Sequence, residues 1–256
     1  MEKPLVSVIM PAYNAEKFIE VAVNSIIAQT YSNWELFIID DSSSDSTLYK
    51  AKNLAKLDSR IKIIQNISNL GAGISRNKAI KEAQGDFIAF LDADDQWKPK
   101  KLEIHLEVML GQGYAVSFSS YLQIDENGNS RKEIIEALPI LSYHKLLKSN
   151  YLGNLTGIYN AKKLGKIYAP ELRKRQDWGL WLKALKKGGP AIGIQRCLAK
   201  YRVRKGSISG NKFEMIKYNF QVYHKVLDFS VFKSTCFMLI FLKEQFFVKS
   251  KQVKRI

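Results

Sequence analysis

Along the first hundred positions apolar residues fall into short unbroken blocks, each followed by a turn and then by a stretch with apolar residues at helical spacing. Leu5 to Met10 is such a block. Pro11-Ala12-Tyr13-Asn14 stops it, and Phe18, Ile19, Ala22, Val23, Ile26 and Ile27 then recur on one helical face. The step repeats: a strand from Trp34 to Ile39, a run of turn and cap formers from Asp40 to Thr47, and a helix to about Lys56. Ile61 to Ile64 predicts a third strand. The loop Asn69-Leu70-Gly71-Ala72-Gly73 leads into a helix carrying Ile74, Arg76, Ala79, Ile80 and Ala83, and Phe87 to Leu91 predicts a fourth strand. Strands alternating with helices imply an α/β fold with a mostly parallel sheet and right-handed crossovers.

Beyond Pro99 the pattern is mixed. It predicts a helix to about Leu110, a strand from Tyr114 to Ser119, a hairpin turn at Glu126-Asn127-Gly128 and a short helix from Tyr143 to Lys148. A strand from Leu155 to Tyr159, a helix from Asp177 to Lys187 closed by Gly188-Gly189, and a strand from Ile192 to Tyr201 follow. From Phe213 the chain reads as helical to its end. Its longest apolar core there, Cys236 to Leu242, is far shorter than the roughly 20 residues that span a bilayer.

The composition, 46% hydrophobic and 25% charged over 256 residues, excludes a disordered chain and allows a sizeable core. The net charge of +16 is unevenly placed. Residues 1–100 carry 12 Lys and Arg against 13 Asp and Glu, so the excess lies entirely in the second half, which is expected to face something anionic. Cys197 and Cys236 are too few for a disulfide framework, which fits a reducing compartment. The start, Met1-Glu2-Lys3-Pro4 before a five-residue apolar strand, does not read as a signal peptide and predicts a cytoplasmic protein.

The candidate chemistry gathers where strands end. Asp92-Ala93-Asp94-Asp95 follows the fourth strand, Asp40-Asp41 the second and Pro11 to Asn14 the first, and in an open α/β sheet ligands bind beyond the carboxyl ends of the strands. Three carboxylates within four positions repel one another unless a cation shares them, and an Asp-X-Asp pair offers the hard oxygen ligands that Mg²⁺ or Mn²⁺ prefers. The competing reading is structural, with Asp95 or a neighbour capping a helix that opens at Pro99. With Arg76 and the glycines of the Gly71 loop, the cation reading suits a diphosphate.

In order and spacing, Val6 to Asn14, Ile38 to Thr47, Asn69-Leu70-Gly71 with Ser75-Arg76-Asn77, and Phe90 to Asp95 resemble glycosyltransferase family 2. Gln176 to Leu182 is similar to the segment that bears the family's catalytic base, and Tyr201 to Ser209 to its later substrate-site loop; the resemblance covers about residues 4–210. It implies a GT-A fold, a single Rossmann-like, mixed and mainly parallel sheet flanked by helices, here with a C-terminal helical extension. The implied organisation is a catalytic domain over 1–210, with a nucleotide-sugar half (1–110) and an acceptor half (111–210), and a basic, aromatic-rich extension over 211–256.

The resemblance further implies a UDP-sugar donor, inversion at the anomeric carbon and a Mn²⁺ or Mg²⁺ cofactor. Asp94 would ligate the metal, Asp41 would accept from the uracil N3–H, Asp92 and Ala93 would lie on the ribose side, Pro11 and Tyr13 would shape the base pocket, and Arg76 would share the diphosphate charge. Asp40 is expected to end its strand and steady the turn. Asp177 is the candidate general base, or the N-cap of its helix, or both. Gln176 departs from the family by standing where an acid usually precedes the base. The expected acceptor is a saccharide or lipid-linked saccharide of bacterial surface polysaccharide such as O-antigen or capsule.

Receiver domains and dehalogenase-type phosphatases also carry acidic strand ends, but the first would leave half the chain unexplained and the second place Asp-X-Asp after an early strand. The alternative from another class is a basic phosphate- or nucleic-acid-binding α/β protein without transferase activity; no zinc spacing or RNA-binding signature supports it, so no nucleic-acid partner is expected. His105, His144 and His224 are isolated and expected to be packing or surface residues. From Arg196 to Ile256 there are 14 Lys and Arg against 3 Asp and Glu, interleaved with Phe229, Phe232, Phe237, Phe241, Phe246 and Phe247. That composition suits a helix lying on the inner face of the cell membrane, against anionic lipid, or one packing its aromatics on the catalytic domain. Nothing in the sequence sets an oligomeric state.

Overall fold

The computed structural model describes residues 3–204 and 212–255. Its centre is a parallel set of four strands, β1 (Val6–Ala12), β2 (Trp34–Asp40), β3 (Ile61–Gln65) and β4 (Phe87–Phe90), in spatial order β3-β2-β1-β4. Helices α1 (Ile19–Ile27), α2 (Thr47–Leu57) and α3 (Ala72–Glu82) make the crossovers. The sheet continues through β9 (Ile158–Asn160), antiparallel to β4, and then through β6 (Val116–Ile124), β7 (Ser130–Ile135) and β11 (Val253–Arg255). The long strand β10 (Ala191–Arg202) runs parallel to β6 and also pairs antiparallel with two-residue strands β5 (Gln96–Trp97) and β8 (Ile140–Leu141). This is the expected α/β architecture, mixed but parallel at its centre.

The period-two alternation of the strands divides the apolar residues between two cores. Val6, Val8 and Met10 of β1, Leu36 and Ile38 of β2, and Phe87 and Ala89 of β4 face α1 and helix α4 (Lys101–Gln112). Ile9, Phe37, Ile39, Ile88 and Phe90 face the opposite way, onto α3, the short helices α5 (Tyr143–Lys148) and α6 (Ala161–Leu164), and the helix α7 (Gln176–Gly188), which brings Trp178 and Trp181. Both faces of the central strands are covered, which is why they read as continuous apolar blocks. Trp181 packs edge-on against Phe90 and Tyr159, and its indole N–H donates to Asn154 Oδ1 at 3.1 Å. A Cβ on Gly157 would lie 2.2 Å from the Trp181 ring, so this position has room for no side chain.

Several expectations shift. The strand expected from Leu155 begins only at Ile158, because Thr156 and Gly157 turn back to donate to the Gly153 carbonyl. The strand expected to end at Ser119 continues to Ile124 and into the predicted hairpin, where Gly128 has φ +91° and the Asp125 carboxylate accepts from the Asn127 and Asn129 N–H groups. The C-terminal region is helical but not to its end. It comprises α8 (Lys212–Gln221), a wide π-helical turn over Val222–Val226, a break at Asp228 with φ +54°, and α9 (Val231–Phe247), whose Ser230 Oγ caps the Lys233 N–H. It finishes in a 3₁₀ turn, Lys249–Gln252, and in β11, which adds to β7 at the sheet edge. The expected 210/211 boundary lies outside the described residues.

The helical extension shares the main core. Tyr223 stacks on Phe229, Phe237 packs tilted against both, and Trp178 of α7 packs on Tyr223 and on Phe241 of α9. The inner face of α9 buries Ser234, Met238, Phe241 and Glu244. Its other face leaves Phe232, Leu239, Phe246 and Phe247 exposed. Among the described residues no helix is long and apolar enough to cross a membrane.

Candidate active site

The registers Ala12↔Asp40, Asp40↔Gln65 and Ile9↔Phe90 bring the carboxyl ends of β1 to β4 to one edge. There two loops carry left-handed residues, Asn14 at φ 46° and Ser42 at φ 63°. They hold each other: the Asn14 N–H donates to Ser43 Oγ and the Ser44 N–H to Asn14 Oδ1 at 2.9 Å. Non-glycine residues persist in this region only where neighbours over-determine them, and such strain clusters at binding sites. Pro11 is buried within β1, whereas Tyr13 stands exposed at the rim.

Asp41 is 3% exposed and pinned from several sides. Its Oδ1 accepts from Asn66 Nδ2 at 2.8 Å and the Leu70 N–H at 2.9 Å, and its Oδ2 from the Gly71 N–H at 2.7 Å. Asn66 is itself fixed, donating to Ser75 Oγ and accepting from Lys78 Nζ. Asp41 thus moulds the Gly71 loop and keeps one acceptor direction on Oδ2. Asp40 accepts from the Ser43 N–H through Oδ2, the turn-steadying role expected of it, while its buried Oδ1 has no partner.

The acidic cluster is divided between two arginines. Arg76, on the buried face of α3 and 4% exposed, donates Nη2 to Asp92 Oδ1 at 2.5 Å, while its Nε and Nη1 are buried without partners. Arg204 pairs with Asp94 Oδ2 at 2.7 Å. Asp95 does not cap the following helix, which starts at Lys101 with no side-chain cap; its Oδ1 accepts the Arg202 N–H at 2.7 Å and so fastens the end of β10. Burial pushes the Asp94 carboxyl up despite the Arg204 charge, and Asp92 adds to the rise. Asp95 is raised well above the usual carboxylate range by burial, then by Asp94 and Asp92.

Among the described residues no three acidic, histidine or cysteine side chains form a ready-made cation cage. Mg²⁺ and Mn²⁺ bound with a diphosphate need only one or two protein carboxylates, the rest coming from phosphate and water. Asp94 fits that requirement: it is partly exposed, and its repulsion with Asp92 is what a hard cation relieves. Ala93 between them is buried.

Across the cleft, the segment leading into α7 lies on the Gly71 loop. A Cβ on Gly71, at φ +88°, would meet Arg173 Nη1 at 2.7 Å, and one on Gly73 would meet Gln176 Cγ at 3.2 Å. Gln176 therefore packs against α3. Asp177 is the second residue of α7 and caps nothing; the N-cap is Arg175, held at φ 62°. Asp177 Oδ2 accepts from Asn150 Nδ2 at 2.8 Å.

Sequence reasoning placed the acids but missed the partners. Arg202 and Arg204 belong to the recognised Tyr201–Ser209 segment, and their alternation offered a signal; its residues 205–209 lie outside the described residues. Asn66, Asn150 and Lys249, which donates through Nζ to the Asn150 carbonyl, carried none.

The family model for glycosyl transferase family 2 matches residues 7–168. The chain is 41% identical over 237 residues to the Bacillus subtilis (strain 168) protein TuaG, named as a glycosyltransferase of teichuronic acid biosynthesis, covering 92% of this chain and 94% of that one. It is 40% identical over 223 residues, 87% and 86% of the two chains, to Escherichia coli WfgD, a UDP-Glc:α-D-GlcNAc-diphosphoundecaprenol β-1,3-glucosyltransferase. The crystal structure of Staphylococcus aureus TarS 1–349 with UDP-GlcNAc superposes with a TM-score of 0.74 at 23% identity, covering 94% of this chain and 73% of that one, which shows the GT-A fold. A basic phosphate-binding protein without transferase activity is thereby set aside: the chain is a glycosyltransferase and belongs to glycosyl transferase family 2.

Proposed function

We propose that the chain transfers a sugar, with inversion, from a UDP-sugar to a hydroxyl of a saccharide carried on a lipid diphosphate, in the assembly of a bacterial surface polysaccharide. The observation that carries the donor half is Arg76, whose buried Nε and Nη1 lack partners beside a cluster of carboxylates. An unpaired buried donor is costly, and a diphosphate would satisfy both N–H groups in charge-assisted bonds. Asp41 would take the uracil N3–H on its free Oδ2 direction, Pro11 and Tyr13 would flank the base, Asp92 and Ala93 would lie along the ribose, and Asp94 would hold Mn²⁺ or Mg²⁺. The metal, when bound, neutralises the departing diphosphate.

On the acceptor side Asp177 would receive the hydroxyl proton as the acceptor oxygen bonds to the anomeric carbon and the bond to the diphosphate oxygen breaks on the opposite face. The relatives named for diphosphoundecaprenol acceptors support the lipid carrier. The exposed outer face of α9, with Lys233 and Lys243 among its aromatics, supports docking on the anionic inner face of the cell membrane. The test is a panel of nucleotide-sugars scored for Mn²⁺-dependent nucleotide release, without and with lipid-linked acceptors. Release from UDP-sugars that rises with a lipid-diphosphate acceptor is expected; preference for a guanine or cytosine nucleotide would overturn the donor assignment.

A further inference from the structure

Lys249 is not a loose tail lysine. Before it, the buried Glu244 of α9 accepts from the Tyr151 hydroxyl at 2.7 Å and from Lys145 Nζ. After it, the Glu136 N–H donates to the Gln252 carbonyl at 3.0 Å, and β11 pairs with β7 from Val253 to Arg255. Held between these two clamps, the 3₁₀ turn presents Lys249 over the Tyr151 ring and places its ammonium on the Asn150 carbonyl. The side-chain amide of the same Asn150 holds Asp177.

Arg175, two residues before Asp177, is half-buried with its Nε lacking a partner, and its charge acts on Lys249. The left-handed backbone of Arg175 is strained for a non-glycine residue, and such strain clusters at functional sites. Two cations and one carboxylate thus gather, partly desolvated, at the start of α7, and the surplus positive charge shows in Lys249. Burial, followed by the repulsion of Arg175, pulls its ammonium down to about 8, with Asp177 opposing. Burial likewise lowers Arg175.

We infer that Lys249 and Arg175 form an anion subsite beside Asp177 that grips the diphosphate of the acceptor, so that the C-terminal turn sets acceptor specificity. The inference rests on the reading of Asp177 as the acceptor-side base. It gives the extension a task in the active site: the segment that closes the sheet edge also supplies the charge that distinguishes a diphosphate-linked saccharide from a neutral one with the same sugar. An anion held by Lys249 and Arg175 would present the sugar attached to it to Asp177. Lys249 is then an acceptor-binding residue that takes no part in the proton transfer.

The test uses the full chain with its donor site filled by saturating UDP and Mn²⁺, and decyl diphosphate as the probe, followed by calorimetry. The wild type is expected to bind it, Lys249→Gln to lose at least about tenfold in affinity, and Lys249→Arg, which keeps the charge, to stay within about threefold. Decyl maltoside, with the same tail and no charge, is expected not to distinguish the variants. Equal affinity of wild type and Lys249→Gln for decyl diphosphate, or no binding by the wild type, would overturn the subsite. So would a parallel loss of UDP affinity in Lys249→Gln, which would make the residue structural. Failure of the underlying reading looks different: Asp177→Asn would keep its turnover, or UDP would not bind.

Discussion

Arg204 closes on Asp94 at 2.7 Å, joining the end of β10 to the acidic turn after β4 and placing a guanidinium where a divalent cation is expected to sit. The pair gives Asp94 a counter-charge, while Arg204 Nε stays buried without a partner. Were Asp94 to hold a divalent cation, a bound diphosphate would offer the Arg204 guanidinium a second anionic partner.

Asp94→Asn is accordingly expected to leave the fold intact and to lower turnover by at least about a hundredfold, because a neutral amide supplies neither an anionic ligand nor a counter-charge for Arg204. Circular dichroism and turnover at saturating donor check it together. A folded variant with near wild-type rates would remove Asp94 from the metal site.

Asp177→Asn is expected to cost turnover at least about a hundredfold and to change UDP affinity little, since the lost step is deprotonation of the acceptor. The substituted side chain can still accept from Asn150, so the local geometry is retained. Calorimetry with UDP alongside turnover separates the steps; weakened UDP binding with normal turnover would move Asp177 to the donor side.

The half of the fold that was legible is the half whose information is local. Val8, Met10, Leu36 and Ile38 alternate with Ile9, Phe37 and Ile39, and that period alone assigns each to one of the two cores. The acids at Asp41, Asp92 and Asp94 follow from strand ends for the same reason. What could not be seen was carried by pairings distant in sequence: Arg204 on Asp94, Arg202 on Asp95, Arg173 over Gly71, and β11 on β7. The C-terminal aromatics illustrate the limit. Membrane and packing readings stood as alternatives in the sequence, yet α9 turns Met238 and Phe241 into the core and Phe232 and Phe246 outward.

Lys101 and His105 predict a dependence of stability on pH. Both are fully buried; Lys101 Nζ donates to the Thr156 carbonyl at 2.9 Å and lies 3.3 Å from His105 Nε2, while His105 Nδ1 meets Ser117 Oγ at 2.7 Å. Burial holds Lys101 well below its ordinary value, and burial with the Lys101 charge holds His105 well below its own. In such windows the unfolded chain binds more protons than the folded one, so stability rises with pH. The His105 contribution is fully present above about pH 6.5 and is lost as pH falls toward its folded value; the Lys101 contribution grows as pH rises toward about 10.4. Melting temperature measured from pH 5 to pH 10 should show a flatter alkaline limb in Lys101→Met and a flatter acid limb in His105→Gln.

The Lys249 ammonium, facing Arg175 and Asp177 of α7, Tyr151 and the Asn150 carbonyl, titrates at about 8. Its charge is present below that pH and is lost above it, so acceptor KM for a diphosphate-linked saccharide is expected to rise between pH 7 and 9. The rise should vanish in Lys249→Arg, whose guanidinium stays charged. An unchanged KM across this range in the wild type would count against Lys249 as an acceptor contact.

The outer face of α9 gives the last prediction. Phe232, Phe246 and Phe247 are 80%, 69% and 70% exposed, and with Leu239 they lie along one stripe of a helix whose opposite stripe is buried. Removing the whole extension is a poor test of membrane docking, because it would also uncover Trp178 and the aromatic cluster around Tyr223 and aggregate the enzyme. Replacing Phe232, Phe246 and Phe247 with Ser leaves the buried stripe intact and is expected to change melting temperature little. The electrostatic part of docking, about 1 kcal/mol for each Lys or Arg near an anionic leaflet, survives in this variant but is screened by salt. The wild type is therefore expected to float with phosphatidylglycerol-containing vesicles at low salt and partly at high salt, and the triple variant only at low salt. If the variant floats as well as the wild type at high salt, the aromatic stripe does not enter the bilayer; if neither floats at low salt, the membrane is not its partner.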